Sequence, residues 1–302
     1  MILEAAERFE LIALLREVSP QGFAPDPGLP PPWIADLKNA PLPRPPKAVL
    51  FDLYGTLLAS AAGGEPGLTS AGSKAEGEGA LAKRRLEDEL PAAGCGMGAA
   101  TFAEEVAHRI AERRDRALVR HPFPEIDIEE IVGSLILGAG AAAIRRLALL
   151  HEAWRNPCAP MPGASALLRR LRMKGLRLGI VSNAQFYTPL LFEALFGAAP
   201  AESGMETILT IYSFKTGIAK PDPALFVRAA APLFAAGFEP GDILVVGNST
   251  TNDIAPAASL GFMTALFAGD ERSFRPARRD AGARPDTLID SLQALDASFP
   301  ED

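Results

Sequence analysis

Cysteine is nearly absent from this chain, with two residues, Cys95 and Cys158, in 302. Neither sits in a paired spacing motif, so a disulfide framework and a thiolate metal knuckle are excluded. A reducing cytoplasm is the expected location. Histidine is equally sparse. His108, His121 and His151 share one middle segment, far in sequence from the motifs below, which argues against a histidine-based triad. Long apolar runs are missing as well. Uncharged apolar stretches such as 131–144 and 178–192 fall short of the ~20 residues a membrane span needs, so no membrane partner is expected. Positive charge is not in excess: 30 Lys and Arg stand against 37 Asp and Glu, a net charge of −7. With no basic stripe, nucleic acid is not an expected partner. Glu4, Glu7, Arg8 and Glu10 interrupt the first turns, so no secretory signal is read there. What remains is ordinary globular composition, 48% apolar and 22% charged. That excludes wholesale disorder and allows one large or two modest domains.

Proline is plentiful but unevenly placed. Ten of the 27 fall between Pro20 and Pro46, which rules out helix and central strand there and predicts an extended arm pinned by Trp33 and Ile34. Ahead of the arm, residues 1–19 read as a helix whose apolar stripe is Ile2, Leu3, Ala6, Phe9, Leu11, Ile12 and Leu15. That stripe must bury on the core or on a second copy of the chain, and a homodimer is one expected assembly.

From Lys47 the pattern changes. Lys47–Asp52, Leu176–Ser182, Ile208–Ser213, Ile243–Gly247 and Met263–Phe267 are short runs, apolar on both faces, each followed by a polar or glycine-containing loop. Helical patterns lie between them at 164–174, 188–196, 223–234 and 253–260. The alternation predicts a doubly wound α/β fold, a parallel, Rossmann-like sheet covered on both faces. More than a hundred residues separate the first two strands. They open with a Gly/Ser/Ala/Glu-rich loop at 60–79 and continue as helices near 81–89, 101–120, 128–137 and 141–154. The expected organisation is a helix and arm at 1–46, a core at 47–59 and 157–302, and an inserted helical module at 60–156.

Four pieces of sequence fall just beyond strand carboxyl ends, where open α/β sheets bind ligands. Asp52-Leu53-Tyr54-Gly55-Thr56 sends a carboxylate out of a buried strand into a glycine turn, poised as nucleophile or metal ligand, with Thr56 able to hydrogen-bond it or an anionic oxygen. Ser182-Asn183 ends the next strand. Lys220-Pro221-Asp222-Pro223 puts a cation before a helix, where it would neutralise an anion. The run from Gly247 through Asn248, Ser249 and Asn252 to Asp253 joins a strand to a helix. Taken singly, Ser182 and Asp253 read as helix caps and Lys220 as a solvated loop charge. The four in this order point to one site for a small anionic substrate.

In these motifs the chain resembles the haloacid dehalogenase-like hydrolase superfamily. Asp52 and Thr56 match the ends of its Asp-x-Asp-x-Thr motif, Ser182 the second motif, Lys220 the third, and Gly247, Ser249, Asn252 and Asp253 much of the fourth. The resemblance covers about 47–58 and 160–268, makes 60–156 the helical cap, and implies a hydrolase in which Asp52 attacks to form an aspartyl ester. Catalytic roles are implied for Asp52, Thr56, Ser182, Lys220 and Asp253, and substrate contacts for Tyr54, Gly55 and Asn183. A Mg²⁺ site would draw on Asp52, the Tyr54 carbonyl, Asn248 and Asp253. The favoured reading is a Mg²⁺-dependent phosphatase of small phosphomonoesters. Two departures weaken it: Tyr54 stands where such phosphatases place their acid/base aspartate, and Asn248 where their fourth motif has aspartate. Asp52-Leu53-Tyr54-Gly55-Thr56 is similar instead to the first motif of metal-independent 2-haloacid dehalogenases, the alternative reading. Those enzymes carry a tyrosine where this chain has Phe226, serine and asparagine where it has Asn248 and Thr250, and a cap arginine for which Lys83, Arg84 and Arg85 are candidates. A binding or regulatory protein with weakened turnover is the further alternative. For the stretch Arg120–Glu125 two readings stand, a face toward the substrate and, favoured over it, a proline-braced structural turn; both cysteines read as unreactive thiols.

Overall fold

The computed structural model describes residues 3–20, 25–61, 77–278, 283–297 and 299, so most of the expected glycine-rich loop lies outside the described residues. After helix α1 (Ala5–Val18) and the proline-rich arm come strands β1 (Ala48–Phe51) and β2 (Leu58–Ser60). Four helices follow: α2 (Ala80–Glu89), α3 (Ala99–Leu118), α4 (Ile128–Leu135) and α5 (Ala141–Arg155). The chain continues through β3 (Cys158–Pro160), α6 (Ala164–Met173), β4 (Arg177–Ser182), α7 (Thr188–Phe196), β5 (Met205–Tyr212) and α8 (Ala224–Ala235). It then runs through β6 (Ile243–Gly247), a π-type turn (Thr250–Ile254), α9 (Ala255–Ser259), β7 (Met263–Phe267), β8 (Thr287–Ile289) and α10 (Leu292–Ala297).

Six strands form one parallel sheet in the order β5-β4-β1-β6-β7-β8. Alternation along β1 feeds two cores, with Val49 and Phe51 in one and Ala48 and Leu50 in the other. That explains why the strand is apolar at every position rather than at every second one. β1 is the centre, and the sheet grows outward from it through β4 on one side and β6 on the other. Strand order therefore reverses at β1, and the loops leaving β1, β4 and β6 share one rim.

Three strands, β2, β3 and β8, are not expected from the sequence. β2 and β3 pair antiparallel as a short ribbon, joining Leu58 to Pro160 and Ser60 to Cys158. They are the chain's way into and out of the helical stretch 80–155. Ser60 Oγ donates to Asn156 Oδ1 at 2.7 Å across the same junction. β8 adds a sixth strand at the sheet edge.

Among its described residues the arm carries one short helix, the 3₁₀ turn Ala35–Leu37, and Ile34 is buried against Ile254, Leu266 and Leu288, with Trp33 partly buried beside it. Helix α1 buries Leu11, Ile12, Leu14, Leu15 and Val18, a stripe at i, i+3, i+4 and i+7. Phe9, expected in that stripe, is 71% exposed, because it falls on the opposite side of the helix. The helix packs on α7 and α5, and its charges complete the seam: Arg8 pairs with Glu193, Glu7 with Arg145 at 2.7 Å, and Glu17 with Arg85. Each fully buried side chain of this kind contributes ~1.5–3 kcal/mol, against a total of ~5–15 kcal/mol for a domain. Deleting residues 1–46 is therefore expected to leave an insoluble chain or to lower its melting temperature by more than ~10 °C. A soluble truncation melting with the full chain would show that the seam contributes nothing.

Candidate active site

The register of the central strands builds the site. β1 pairs Phe51 with Ile180 of β4 and with Val246 of β6. One residue further, Asp52 leaves the sheet with its amide donating to the Val246 carbonyl at 2.9 Å. Ser182 and Gly247 end the flanking strands at the same rim. Ser182 Oγ donates to Asp52 Oδ1 at 2.8 Å. Its hydroxyl thus serves the candidate nucleophile, and the following helix has no side-chain cap. Lys220 Nζ donates to Asp52 Oδ1 at 2.7 Å and to Asp253 Oδ1 at 2.6 Å. Asp253 Oδ2 accepts from the Ser249 amide at 3.0 Å. The cap of the π-type turn is Ser249, whose Oγ accepts from the Asn252 amide. Taken singly, the sequence makes Asp253 a cap and Lys220 a solvated charge. The fold makes both of them members of one buried cluster.

Exposures are 6% for Asp52, 6% for Lys220 and 1% for Asp253. Burying three charges is costly unless they satisfy one another, and here the ammonium is shared by two carboxylates. Burial works against the charge on Lys220, yet Asp253 and Asp52 outweigh it and hold its ammonium above the ordinary lysine range. Burial pushes Asp253 up to about 6, with the charge of Asp52 adding to the rise and Lys220 opposing it. No hydrogen bond from a described residue reaches Asp52 Oδ2, which leaves that oxygen for an incoming group.

Two glycines permit this packing. Gly55 has φ +81°, and a β-carbon there would collide with the Asn248 amide and with Ser273. Gly247 lets the Asp253 carboxylate lie against the backbone, where a β-carbon would overlap it.

The remaining predicted residues divide. Asn183 lines the cavity described below, but it also grips the backbone of the lysine loop, its Oδ1 accepting from Lys220 N at 2.7 Å. Thr56 is fully buried and its hydroxyl has no partner among the described residues. Tyr54 differs from expectation. Its side chain is buried, its hydroxyl lies 2.9 Å from Thr188 Oγ1, and it does not line the cavity. Burial holds its phenol well above the usual range, so it is no ready proton donor. Substrate contact by the Tyr54 side chain has no support here. Phe226 packs in the second core, away from the rim.

A cavity of about 330 Å³ opens between the rim and the helical stretch, reaching Lys220, Asn183, Thr251 and Asn252 on one side. Its other wall is Ile110, Arg114 and residues 122–126 with Ile128. The stretch Arg120–Glu125, favoured as a structural turn with a substrate-facing role as the alternative, therefore forms part of the cavity wall through residues 122–125. None of Lys83, Arg84 and Arg85 lines it: Lys83 lies over the Trp154 ring and Arg85 pairs with Glu17. The cation presented by the helices is Arg114. Glu125, the last residue of that stretch, lines the cavity, and so does Gln185, for which the sequence carries no signal.

For a metal, Asp253 has both oxygens engaged, and the Asn248 amide nitrogen donates to the Ser273 carbonyl. That leaves the Asp52 carboxylate, the Tyr54 carbonyl and Asn248 Oδ1 as oxygen donors. Among the described residues no group of three or more His, Cys, Asp or Glu converges on one point. Mg²⁺ ordinarily keeps several waters and leans on substrate phosphate, so this set fits it, but loosely.

Three comparisons with known proteins bear on the chain's relatives, fold and family. The chain is 29% identical over 265 residues to a phosphoserine phosphatase of Thermus thermophilus, covering 82% of this chain and 97% of the relative. It is 31% identical over 219 residues to a phosphoglycolate phosphatase of Rhodospirillum rubrum, covering 72% of this chain and 77% of the relative. A dehalogenase solved with an intermediate complex superposes with a TM-score of 0.52 at 18% identity, covering 86% of this chain and all of the other, a likeness that speaks for the fold. The family model for haloacid dehalogenase-like hydrolases matches residues 46–261, and with the rim of Asp52, Ser182, Lys220 and Asp253 inside that span, the chain belongs to the haloacid dehalogenase-like hydrolase family.

Proposed function

We propose that the chain hydrolyses small phosphomonoesters through an aspartyl-phosphate on Asp52. The observation that carries this reading is the placement of Lys220, which fixes Asp52 Oδ1, leaves Oδ2 unbonded and lines the cavity where a phosphate would enter. Two relatives named as phosphatases of small phosphorylated acids support it. In this reading Asp52 attacks phosphorus, and Ser182 and Lys220 hold the carboxylate in line. Thr56 offers its unpartnered hydroxyl to an oxyanion, which would remove the ~1–3 kcal/mol cost of leaving it unsatisfied. Asp253 holds Lys220 in place. The helices of 60–156 act as the cap, with Arg114 at the cavity facing any second anionic group of the substrate. Mg²⁺, taken up by the Asp52 carboxylate, the Tyr54 carbonyl and Asn248, supplies further neutralisation of phosphate charge when bound.

Activity on p-nitrophenyl phosphate should fall on adding chelator and return with Mg²⁺. Saturation should need high Mg²⁺, because the site carries little negative charge to hold the ion. One observation favours a second reading. The Tyr54 hydroxyl is committed to Thr188, and halide, unlike an alkoxide, needs no proton to leave. Chelator-resistant release of halide from a 2-haloacid, without phosphatase activity, would establish that reading and overturn the first.

A further inference from the structure

Phosphomonoester hydrolysis with an alkyl leaving group needs a proton at the ester oxygen, and the core rim supplies none once Tyr54 is turned onto Thr188. The wall opposite supplies a carboxyl. We propose that Glu125, from the helical stretch, is the proton donor to the leaving alcohol and then the acceptor for the hydrolytic water. This rests on the phosphatase reading above.

The geometry is built rather than incidental. Residues 123–125 lie antiparallel to the strand of backbone that leads into Lys220. The Glu125 amide donates to the Gly217 carbonyl at 3.1 Å, the Ala219 amide donates to the Phe123 carbonyl at 2.9 Å, and Pro124 bridges Ile218. Glu125 is thus delivered beside the catalytic lysine loop by main-chain bonds, independent of any long side chain. Its carboxyl is then fixed. Oε1 accepts from Gln185 Nε2 at 2.8 Å and from the Ile126 amide at 3.0 Å. Gln185 stands three residues beyond Ser182, and it is itself anchored, Nε2 donating to the Ile126 carbonyl and Oε1 accepting from the Ile128 amide. The side chain that holds Glu125 therefore belongs to the same loop as the hydroxyl that holds Asp52. Glu125, Gln185, Asn183 and Lys220 line one cavity.

Its surroundings suit the role. Burial pushes the Glu125 carboxyl up to about 7, with bonds from Ser213, Ile126 and Gln185 pulling it back and the charge of Asp127 adding to the rise. The other titratable groups facing the same space are Arg114 of α3, Tyr187 and Lys220, with the His121–Asp222 pair, 3.2 Å apart, close by along the same turn and lysine loop. An acid with this value holds its proton near neutrality and can give it up in the reaction.

The steps balance. A bond forms between an Asp52 oxygen and phosphorus, the ester bond breaks with its electron pair on the leaving oxygen, and the proton of Glu125 completes the alcohol. The Glu125 carboxylate then takes a proton from water as the water oxygen bonds to phosphorus. The bond to Asp52 breaks back to carboxylate, phosphate leaves, and Glu125 is again an acid.

The test compares full-length wild type with Glu125→Gln, which keeps shape and the Oε1 acceptor, on p-nitrophenyl phosphate and on an alkyl phosphate. With the alkyl ester kcat should fall ~10²–10⁴-fold with KM little changed, and the loss should be distinctly smaller with nitrophenolate, which leaves without help. The wild-type alkyl profile should decline above about pH 7 as the acid ionises, and the variant should lose that limb. Equal losses on both substrates, retained alkyl turnover, or a wild-type profile without the limb would each overturn the proposal while leaving Asp52 chemistry standing. The wild-type profile decides the matter even for a variant that folds poorly. If the wild type hydrolyses neither ester, the phosphatase reading fails and this proposal with it.

Discussion

Asp52→Asn is expected to abolish turnover, by ~10⁴–10⁶-fold for loss of a nucleophile, while the chain melts close to wild type. The separation of the two effects follows from the hydrogen bonds. An asparagine keeps an oxygen where Oδ1 stands, so it can still accept from Ser182 Oγ and Lys220 Nζ. An amide oxygen is too weak a nucleophile to make the first covalent bond. Lys220 keeps its second partner, Asp253, at 2.6 Å, so no buried charge is abandoned. The substitution also removes a carboxylate whose charge helps push Asp253 up to about 6, and the Asp253 carboxyl should consequently titrate lower in the variant. Single-turnover assays on the substrate, a thermal melt and a carboxyl titration by NMR read the three effects separately. Full hydrolysis by the Asn variant would rule out covalent catalysis at this residue, and a collapse in melting temperature would show that the charge is structural.

Legibility in the sequence follows the length scale of the signal. Strands β6 and β7 end where the apolar runs Ile243–Gly247 and Met263–Phe267 end, because central parallel strands are buried on both faces and announce themselves residue by residue. β2, β3 and β8 are three residues each. No periodicity exists over three residues, and Pro160 in β3 argues against a strand unless it lies at an edge. Helix α1 and part of its inward face, Leu11, Ile12 and Leu15, are legible in the sequence, whereas Leu14 and Val18 are not. Phe9 looked like part of the stripe, and only the packing on α7 and α5 decides that 11, 12, 14, 15 and 18 face inward.

The site divides in the same manner. Asp52, Ser182, Lys220 and Asp253 were legible because each follows a strand, so a parallel sheet brings them to one rim whatever the side-chain details. Tyr54 was legible as a departure, but nothing local to the motif says that its hydroxyl is taken by Thr188, 134 residues away. Glu125 meets Gln185 across 60 residues. A glutamate beside two prolines in a helical insertion carries no pattern of its own. Its place depends on main-chain bonds to 217–219 that only the tertiary fold supplies.

Lys220→Met should be the most damaging single substitution for stability at neutral pH, and its effect should depend on pH in a definite direction. The ammonium is the only cation contacting Asp52 and Asp253 among the described residues, at 2.7 and 2.6 Å. Removing one partner of a buried ionic cluster typically costs ~3–5 kcal/mol, since the charges left behind are neither solvated nor paired. Two carboxylates that had shared a cation must then share a proton, and like charges at close range raise the affinity for it. Asp253 already lies at about 6, above its ordinary 3.8. For a carboxyl raised in the folded state, the stabilisation is full below the unfolded value and is lost as pH rises through the folded one. Lys220 is one of the influences holding Asp253 down, so in the variant this loss moves above pH 6. The deficit against wild type should accordingly be largest near pH 8 and shrink toward pH 5, where the retained proton does part of the work of the missing ammonium. Turnover should fall by at least ~10²–10³-fold at any pH, the usual effect of removing one preorganised donor from a developing anion. Denaturant melts of both proteins at pH 5, 6.5 and 8 give the comparison. A gap that stays constant or widens toward acid would mean that the three residues are not coupled as their distances require, and Lys220 would then be holding the loop by packing alone.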